Sequence, residues 1–104
     1  MDIKAALLAG NSKPVALKIV KYIGTNKERF KVLMALFFDK DVQLSQRASW
    51  PVGFCGEAHP ELITPYLKRM VENLDNPVHN AVKRNTIRIM LYLELHRLEI
   101  HQYF

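Results

Sequence analysis

Cys55 and His59 are the side chains of this sequence whose types and spacing come nearest to covalent catalysis. One helical turn and a glycine separate them, so the imidazole could take the thiol proton and leave a nucleophilic thiolate. Cys55, however, falls in the apolar stripe of its predicted helix, where a thiol usually packs as a small hydrophobic group. His59 directly precedes Pro60, a position that favours helix capping. We therefore expect structural roles for both residues.

Other sequence motifs for catalysis or cofactor binding are missing. The chain has no glycine-rich phosphate loop, no His-Glu-x-x-His, no cysteine pair for zinc and no Gly-x-Ser-x-Gly elbow. The remaining histidines, His79, His96 and His101, do not share a helical face at the spacing of metal ligands. The sequence therefore favours a protein that is not an enzyme and that needs no cofactor or metal.

Length and composition indicate one folded domain. The chain has 104 residues, of which 49% are hydrophobic and 24% charged, as in a globular protein. Its longest early apolar run, residues 5–9, is too short for a signal peptide, and no stretch is long enough to cross a membrane. A single cysteine fits a reducing compartment. We expect a cytoplasmic location and no membrane partner.

Positive charge is concentrated in the first half of the chain. Residues 1–52 hold 9 basic and 4 acidic side chains, whereas residues 53–104 hold 6 of each, which gives a net charge of +5. Such a face could follow a phosphate backbone, although lysines that keep a protein soluble are the default explanation. Nucleic acid is therefore the alternative partner, and the side chains proposed for it are Lys18, Lys21, Lys27 and Lys31.

Apolar residues recur at helical spacing and strand signals are nearly absent, so we predict an all-α fold of about five helices. The first predicted helix opens at Pro14 and ends at Gly24. Thr25 or Asn26 caps the second, which buries an apolar stripe. That stripe consists of Phe30, Leu33, Met34 and Phe37.

The third predicted helix spans residues 41–55 and ends at Gly56, with Pro51 kinking it. The fourth extends from residue 62 to residue 74. Pro60 and Pro65 both suit a first helical position, so a separate first turn is the alternative to one continuous helix. Asn76 and Pro77 open the fifth.

Asn85 is a polar residue in the apolar stripe of the fifth helix, beside Val82 and Ile89. A buried amide must find hydrogen-bond partners. We predict that it bonds the preceding inter-helix loop near Gly56 or His59 and so fixes the stacking of the helices. A ligand contact is the alternative interpretation.

Spacing also indicates an internal repeat. Gln46-Arg47-Ala48 and Lys83-Arg84-Asn85 follow similar breaks and lie 37 residues apart, and the match continues from Trp50 to Ile87 and from Val52 to Ile89. Two-helix units of this length stack into helical solenoids.

On these residues the chain resembles the HEAT/armadillo-type repeat family, which implies a short right-handed α-α superhelix. Residues 41–76, with the turn Gly56-Glu57-Ala58-His59-Pro60-Glu61, look like one complete repeat. Residues 77–95 look like the first helix of the next repeat, and residues 13–38 look like a degenerate one.

Three segments are also similar to a group of small bacterial HEAT-like proteins, some of which carry the label adenylosuccinate lyase. They are Arg47-Ala48-Ser49-Trp50-Pro51, His59-Pro60-Glu61-Leu62-Ile63 and His79-Asn80-Ala81-Val82-Lys83-Arg84-Asn85. That lyase is a much longer helical-bundle enzyme, and its signature is absent from this sequence.

The resemblance implies a scaffold that binds another macromolecule, most simply a protein partner. The third and fifth helices each carry a flank of aromatic or arginine residues, the types favoured at protein interfaces. The candidate contact residues are Arg47, Trp50, Phe54, Arg84 and Arg88. The alternative for Trp50 and Phe54 is simple packing against an adjacent helix.

The C-terminal segment is rich in apolar residues, and no second helix is predicted to cover them. They are Leu91, Leu93, Leu95, Leu98, Ile100, Tyr103 and Phe104. A terminal repeat needs a polar outer face. We expect this segment to fold back as a short helix, to pair with another copy as a homodimer, or to be covered by further repeats of a longer chain.

Overall fold

The computed structural model describes residues 1–78 and 80–102, and for residues 95–102 it describes the backbone alone. Every regular element in this part of the chain is helical, which confirms the predicted all-α class. In chain order the elements are α1 (Ile3–Ala9), α2 (Lys13–Ile23), α3 (Lys27–Phe37), α4 (Val42–Ala58), α5 (Pro60–Ile63), a 3-10 turn (Thr64–Tyr66), α6 (Leu67–Asn73) and α7 (Asn80–Gln102).

Local capping residues set the bounds of α2 and α3, and the predicted ends at Gly24 and Asn26 are confirmed. The Ser12 side chain accepts a hydrogen bond from the Val15 backbone N–H at the start of α2. Gly24, with φ at +51°, ends this helix in a backbone conformation that favours glycine. The Asn26 side chain then accepts from the Arg29 N–H and opens α3.

Helix α1 was not among the predicted helices. The Asp2 carboxylate accepts a hydrogen bond from the Ala5 N–H, while Ile3 and Leu7, one turn apart, are buried. An N-cap followed by apolar residues four apart is a usable signal. Helix α1 is therefore an element that the sequence prediction missed.

Gly56 does not end the third predicted helix, because α4 continues through it to Ala58. Gly56 is buried where α4 meets α5 and α7, and a Cβ at this position would lie 2.9 Å from Ile63 Cγ1 and 3.6 Å from Ile89 Cγ2. The glycine is thus needed for close packing of helices rather than for termination.

Pro51 lies inside α4 and is buried, and the helix runs on past it, as the continuing apolar period predicted. Proline has no N–H to donate to the preceding turn. Two serines of the same helix also bond to its carbonyls: Ser45 Oγ donates to Val42 O at 3.1 Å, and Ser49 Oγ donates to Gln46 O at 2.6 Å.

The fourth predicted helix is broken into α5, the 3-10 turn and α6, so its first turn is indeed separate. Pro60 occupies the start of α5, and Pro65 lies in the 3-10 turn. Because Pro65 lacks an N–H, it cannot supply the bond that would join α5 to α6 as one α-helix. Leu62, Ile63 and Met70 face the core.

The predicted start of the fifth helix at Asn76 and Pro77 was wrong, since α7 begins at Asn80. The Val78 N–H donates to Asn76 O at 2.8 Å, a three-residue turn that is incompatible with a helix at this point. Residues 91–102 continue α7, so they do not fold back as a separate short helix. The side chains of Leu95, Leu98 and Ile100, and residues Tyr103 and Phe104, lie outside the described residues.

Helix α4 is the centre of the molecule. It packs against α1, α2, α3, α5 and α7, and one face of each neighbour contributes to a single apolar core. The largest fully buried side chains of this core are Ile19, Ile23, Phe30, Leu33, Met34, Phe37, Val52, Ile63, Met70, Val82, Thr86 and Ile89.

Candidate functional site

Helices α4 and α7 pack against each other and bury equivalent positions 37 residues apart. Val52 and Ile89 are both buried. So are Ser49 and Thr86, and each hydroxyl donates to a carbonyl of its own helix. The two helices therefore have corresponding flanks outside their buried faces. The predicted contact residues, such as Trp50 on α4 and Arg84 on α7, lie on these flanks.

Trp50 and Phe54 stack on one flank of α4. Their ring centroids are 6.4 Å apart with an angle of 27° between the planes. Both side chains are half-buried, and together with Gly53, Glu57, Asn85 and Arg88 they line a shallow depression beside α7. The aromatic pair thus packs within the protein and still presents surface at its edge.

A groove of about 600 Å³ continues from this depression along α7. Its lining residues are Glu57, Arg84, Ile87, Arg88, Leu91 and Tyr92. Ile87 and Leu91 are exposed by 49% and 61%. Because Glu57 and Arg88 line both the groove and the depression, the two sites adjoin at this charged pair. We call this groove the α4–α7 groove.

Two contacts join the end of α4 to α7 at this groove. Arg88 Nε lies 3.2 Å from Glu57 Oε1 in an ion pair, and the Tyr92 hydroxyl donates to Glu57 O at 3.1 Å. Arg84 is exposed, and in the part of the chain that the structure describes its guanidinium has no ion pair and no hydrogen bond. The groove thus has one neutralised arginine and one arginine available to an anion.

Arg47 is engaged within the fold. Its Nη1 donates to Leu7 O at 2.8 Å and to Leu8 O at 3.2 Å, which satisfies carbonyls at the C-terminal end of α1. The structure therefore brings Trp50, Phe54, Arg84 and Arg88 together around α4 and α7 but assigns Arg47 to the attachment of α1.

Asn85 was predicted to bond the loop near Gly56 or His59, and this was wrong. Its Nδ2 donates to Ser49 Oγ at 3.0 Å, directly between α7 and α4. Asn85 lies opposite the middle of α4, so the helix itself, rather than the loop, is within reach of the amide. The expected function of fixing how these helices stack fits this contact.

The four lysines of the nucleic-acid alternative are all exposed on α2 and α3. None of the hydrogen bonds and ion pairs found among residues 1–78 and 80–94 involves Lys18, Lys21, Lys27 or Lys31. Their placement agrees with solvated lysines and gives no further support to a phosphate-binding surface.

Cys55 is fully buried in the core, as its place in the apolar stripe predicted. Desolvation raises the pKa of its thiol from 9.0 to about 12, so the nucleophilic thiolate is disfavoured at neutral pH. The His59 backbone connects α4 to α5, but its side chain forms no cap and instead places Nδ1 3.6 Å from Glu61 Oε1. These positions do not form a thiol and base pair.

Within the described residues, no group of three or more histidine, cysteine, aspartate or glutamate side chains is arranged to hold a metal ion. His79 and the side chains of His96 and His101 lie outside that part of the chain. No described helix combines the length and the apolar character needed to span a membrane.

Ile87, Leu91 and Tyr92 line the α4–α7 groove but were not among the predicted contact residues. The available signal was the 37-residue offset, which pairs Trp50 with Ile87 and, one turn later, Phe54 with Leu91. Extending the repeat by that turn would have identified the apolar part of the groove.

Comparison with known proteins supports the fold. Searches of curated proteins and of solved structures gave no match. The family model of the HEAT repeat domain matches residues 3–103, nearly the whole chain. HEAT repeats are helical scaffolds that commonly mediate protein interactions and are typically non-catalytic. From this match and the all-helical architecture, we conclude that the chain belongs to the HEAT repeat family.

Proposed function

We propose that this protein is a non-catalytic helical-repeat scaffold that binds a protein partner along the α4–α7 groove. The observation that carries the proposal is the exposure of Ile87 and Leu91 in a groove that adjoins the depression lined by the stacked Trp50 and Phe54. Contiguous exposed apolar surface rimmed by polar residues is typical of a protein-interaction site.

The chemistry of the groove favours a protein over a small molecule or a polyanion. Aromatic and arginine side chains are enriched at the centres of protein interfaces, and Trp50, Phe54 and Arg84 supply both types. Arg84 can bind a partner carboxylate with two parallel hydrogen bonds. Ile87 and Leu91 offer an apolar floor for a leucine or an aromatic ring.

A non-catalytic role is supported by what surrounds the groove. Its ionisable groups are Glu57, Arg84, Arg88 and Tyr92, and the Glu57 carboxylate is held in an ion pair by Arg88. A reaction needs a nucleophile or base near a group that stabilises the developing charge. The buried Cys55 thiol is not part of the groove lining.

The test compares two variants that each place a charge at an exposed apolar position. Leu91→Glu lies in the groove, whereas Val32→Glu lies on α3 at a site exposed by 51%. Immobilised wild-type protein and both variants are incubated with extract of the native cells, and retained proteins are identified by mass spectrometry. Circular dichroism verifies that each variant keeps its helicity.

We expect a protein that is retained by the wild type and by Val32→Glu and lost from Leu91→Glu. Retention of the same proteins by all three baits would show that the groove is not the binding surface. Trp50→Ala should also weaken capture, since the Trp50 ring lines the depression that adjoins the groove.

A further inference from the structure

Four exposed residues form a regular stripe along α7. Arg84, Ile87, Leu91 and Glu94 are separated by three, four and three residues, the spacing that keeps side chains on one face of a helix. The opposite face of α7, which includes Val82, is buried against the core. We call these four residues the α7 stripe.

The residues of the α7 stripe are symmetric about its centre, except that the charges at its two ends have opposite signs. It has a cation at one end, an anion at the other and two branched apolar residues between them. An antiparallel copy centred beside residue 89 places Arg84 opposite Glu94 and Ile87 opposite Leu91, and it does so twice because the arrangement is two-fold symmetric. A parallel copy would instead place like charges opposite each other.

We propose that α7 pairs in antiparallel fashion with α7 of a second copy of this chain, through the α7 stripe. The inference rests on the proposed function, because it names the protein that occupies the apolar part of the groove. Its support is complementarity of charge and of apolar surface: pairing covers Ile87 and Leu91 with each other and brings Arg84, which has no partner in its own described chain, to a carboxylate.

Symmetry makes the pairing sensitive to single changes, since each substitution acts at two places in the dimer. The Arg88 and Glu57 pair lies beside the stripe within one chain and need not break. Arg84, Ile87 and Leu91 are exposed in the single chain, so their replacement changes association without removing core contacts.

Sedimentation equilibrium of the full chain measures the dimer dissociation constant for five proteins: wild type, Arg84→Glu, Glu94→Arg, the double charge exchange, and Ile87→Glu. Each single charge reversal should raise the dissociation constant by on the order of tenfold, because two attractive pairs become repulsive. The double exchange should restore it to within about threefold of wild type. Ile87→Glu should raise it by at least roughly a hundredfold, because two charges would be buried without partners.

Val32→Glu, a charge at a similarly exposed site on α3, serves as the control and should leave the constant unchanged. A wild-type chain that stays monomeric at all concentrations overturns the pairing. If the dimer dissociation constant is unchanged by the single charge reversals, or is not restored by the double exchange, the antiparallel register is contradicted. If the chain does not self-associate but Leu91→Glu still loses a captured protein, only the pairing of α7 is contradicted and the proposed binding at the groove remains. If Leu91→Glu also captures the same proteins as the wild type, both proposals are contradicted.

Discussion

Helices α4 and α7 carry the same pattern 37 residues apart, yet one is enclosed and the other is open. Five helices pack around α4, whereas the main neighbour of α7 is α4. Arg47 on α4 bonds the end of α1, while Arg84 at the equivalent place on α7 is exposed to solvent. A repeated pattern therefore specifies a helix and its buried face, but the neighbours decide whether the opposite flank is interior or surface.

The sharpest test of this contrast compares Ile89 with Ile87, two residues of the same type on opposite faces of α7. Ile89→Ala should lower the free energy of unfolding by about 2–5 kcal/mol, because it leaves a cavity against α4. Ile87→Ala, at an exposed site, should change it by less than about 0.5 kcal/mol. Urea unfolding at concentrations where the monomer dominates gives both values. Equal losses would mean that both faces of α7 are interior.

A smaller effect distinguishes two glycines within α4. Gly56→Ala places a Cβ 2.9 Å from Ile63 Cγ1, so buried side chains must shift, and we expect a loss of about 1–3 kcal/mol. Gly53→Ala meets only Asn85 Oδ1, at 3.6 Å, and should gain roughly 0.5–1 kcal/mol from the greater helical preference of alanine. Thermal denaturation followed by circular dichroism should move the two midpoints in opposite directions. A shared direction would contradict the close packing assigned to Gly56.

The smallest expected difference in the free energy of unfolding is between alanine variants of the two arginines, Arg47 and Arg84. Arg47→Ala removes two hydrogen bonds to carbonyls of α1 and should cost about 1–2 kcal/mol. Arg84→Ala should be neutral within about 0.5 kcal/mol in the monomer. Amide hydrogen exchange provides a second measurement, since α1 alone should exchange faster in the Arg47 variant. Unchanged exchange at Leu7 and Leu8 would show that Arg47 does not hold α1.

The parts of the fold that were predictable depend on local chemistry. Ser12, Gly24 and Asn26 mark helix ends by bonds and backbone conformations within a few residues, so α2 and α3 follow from the sequence. Gly56 was misassigned because its reason is a contact with Ile63 and Ile89, which are distant in the chain. The same nonlocal effect explains why Asn85 was given the wrong partner.

The candidate site was predictable in part for the same reason. Trp50, Phe54 and Arg88 could be placed on one side of the molecule from helical periodicity and the repeat offset. Periodicity cannot show that Arg47 reaches α1, a helix 40 residues earlier in the chain. Nor can it show that Glu57 meets both Arg88 and Tyr92 and so shapes the groove.

The burial of Cys55 has a consequence for how this protein ages in an oxidising solution. A neutral thiol enclosed in the core reaches neither peroxide nor another thiol, so the oxidation rate of the folded population is set by how often the chain opens. Since this is the one cysteine, each opening exposes a single reactive sulfur. The slow loss of free thiol to an added oxidant during storage would therefore report the opening of the core.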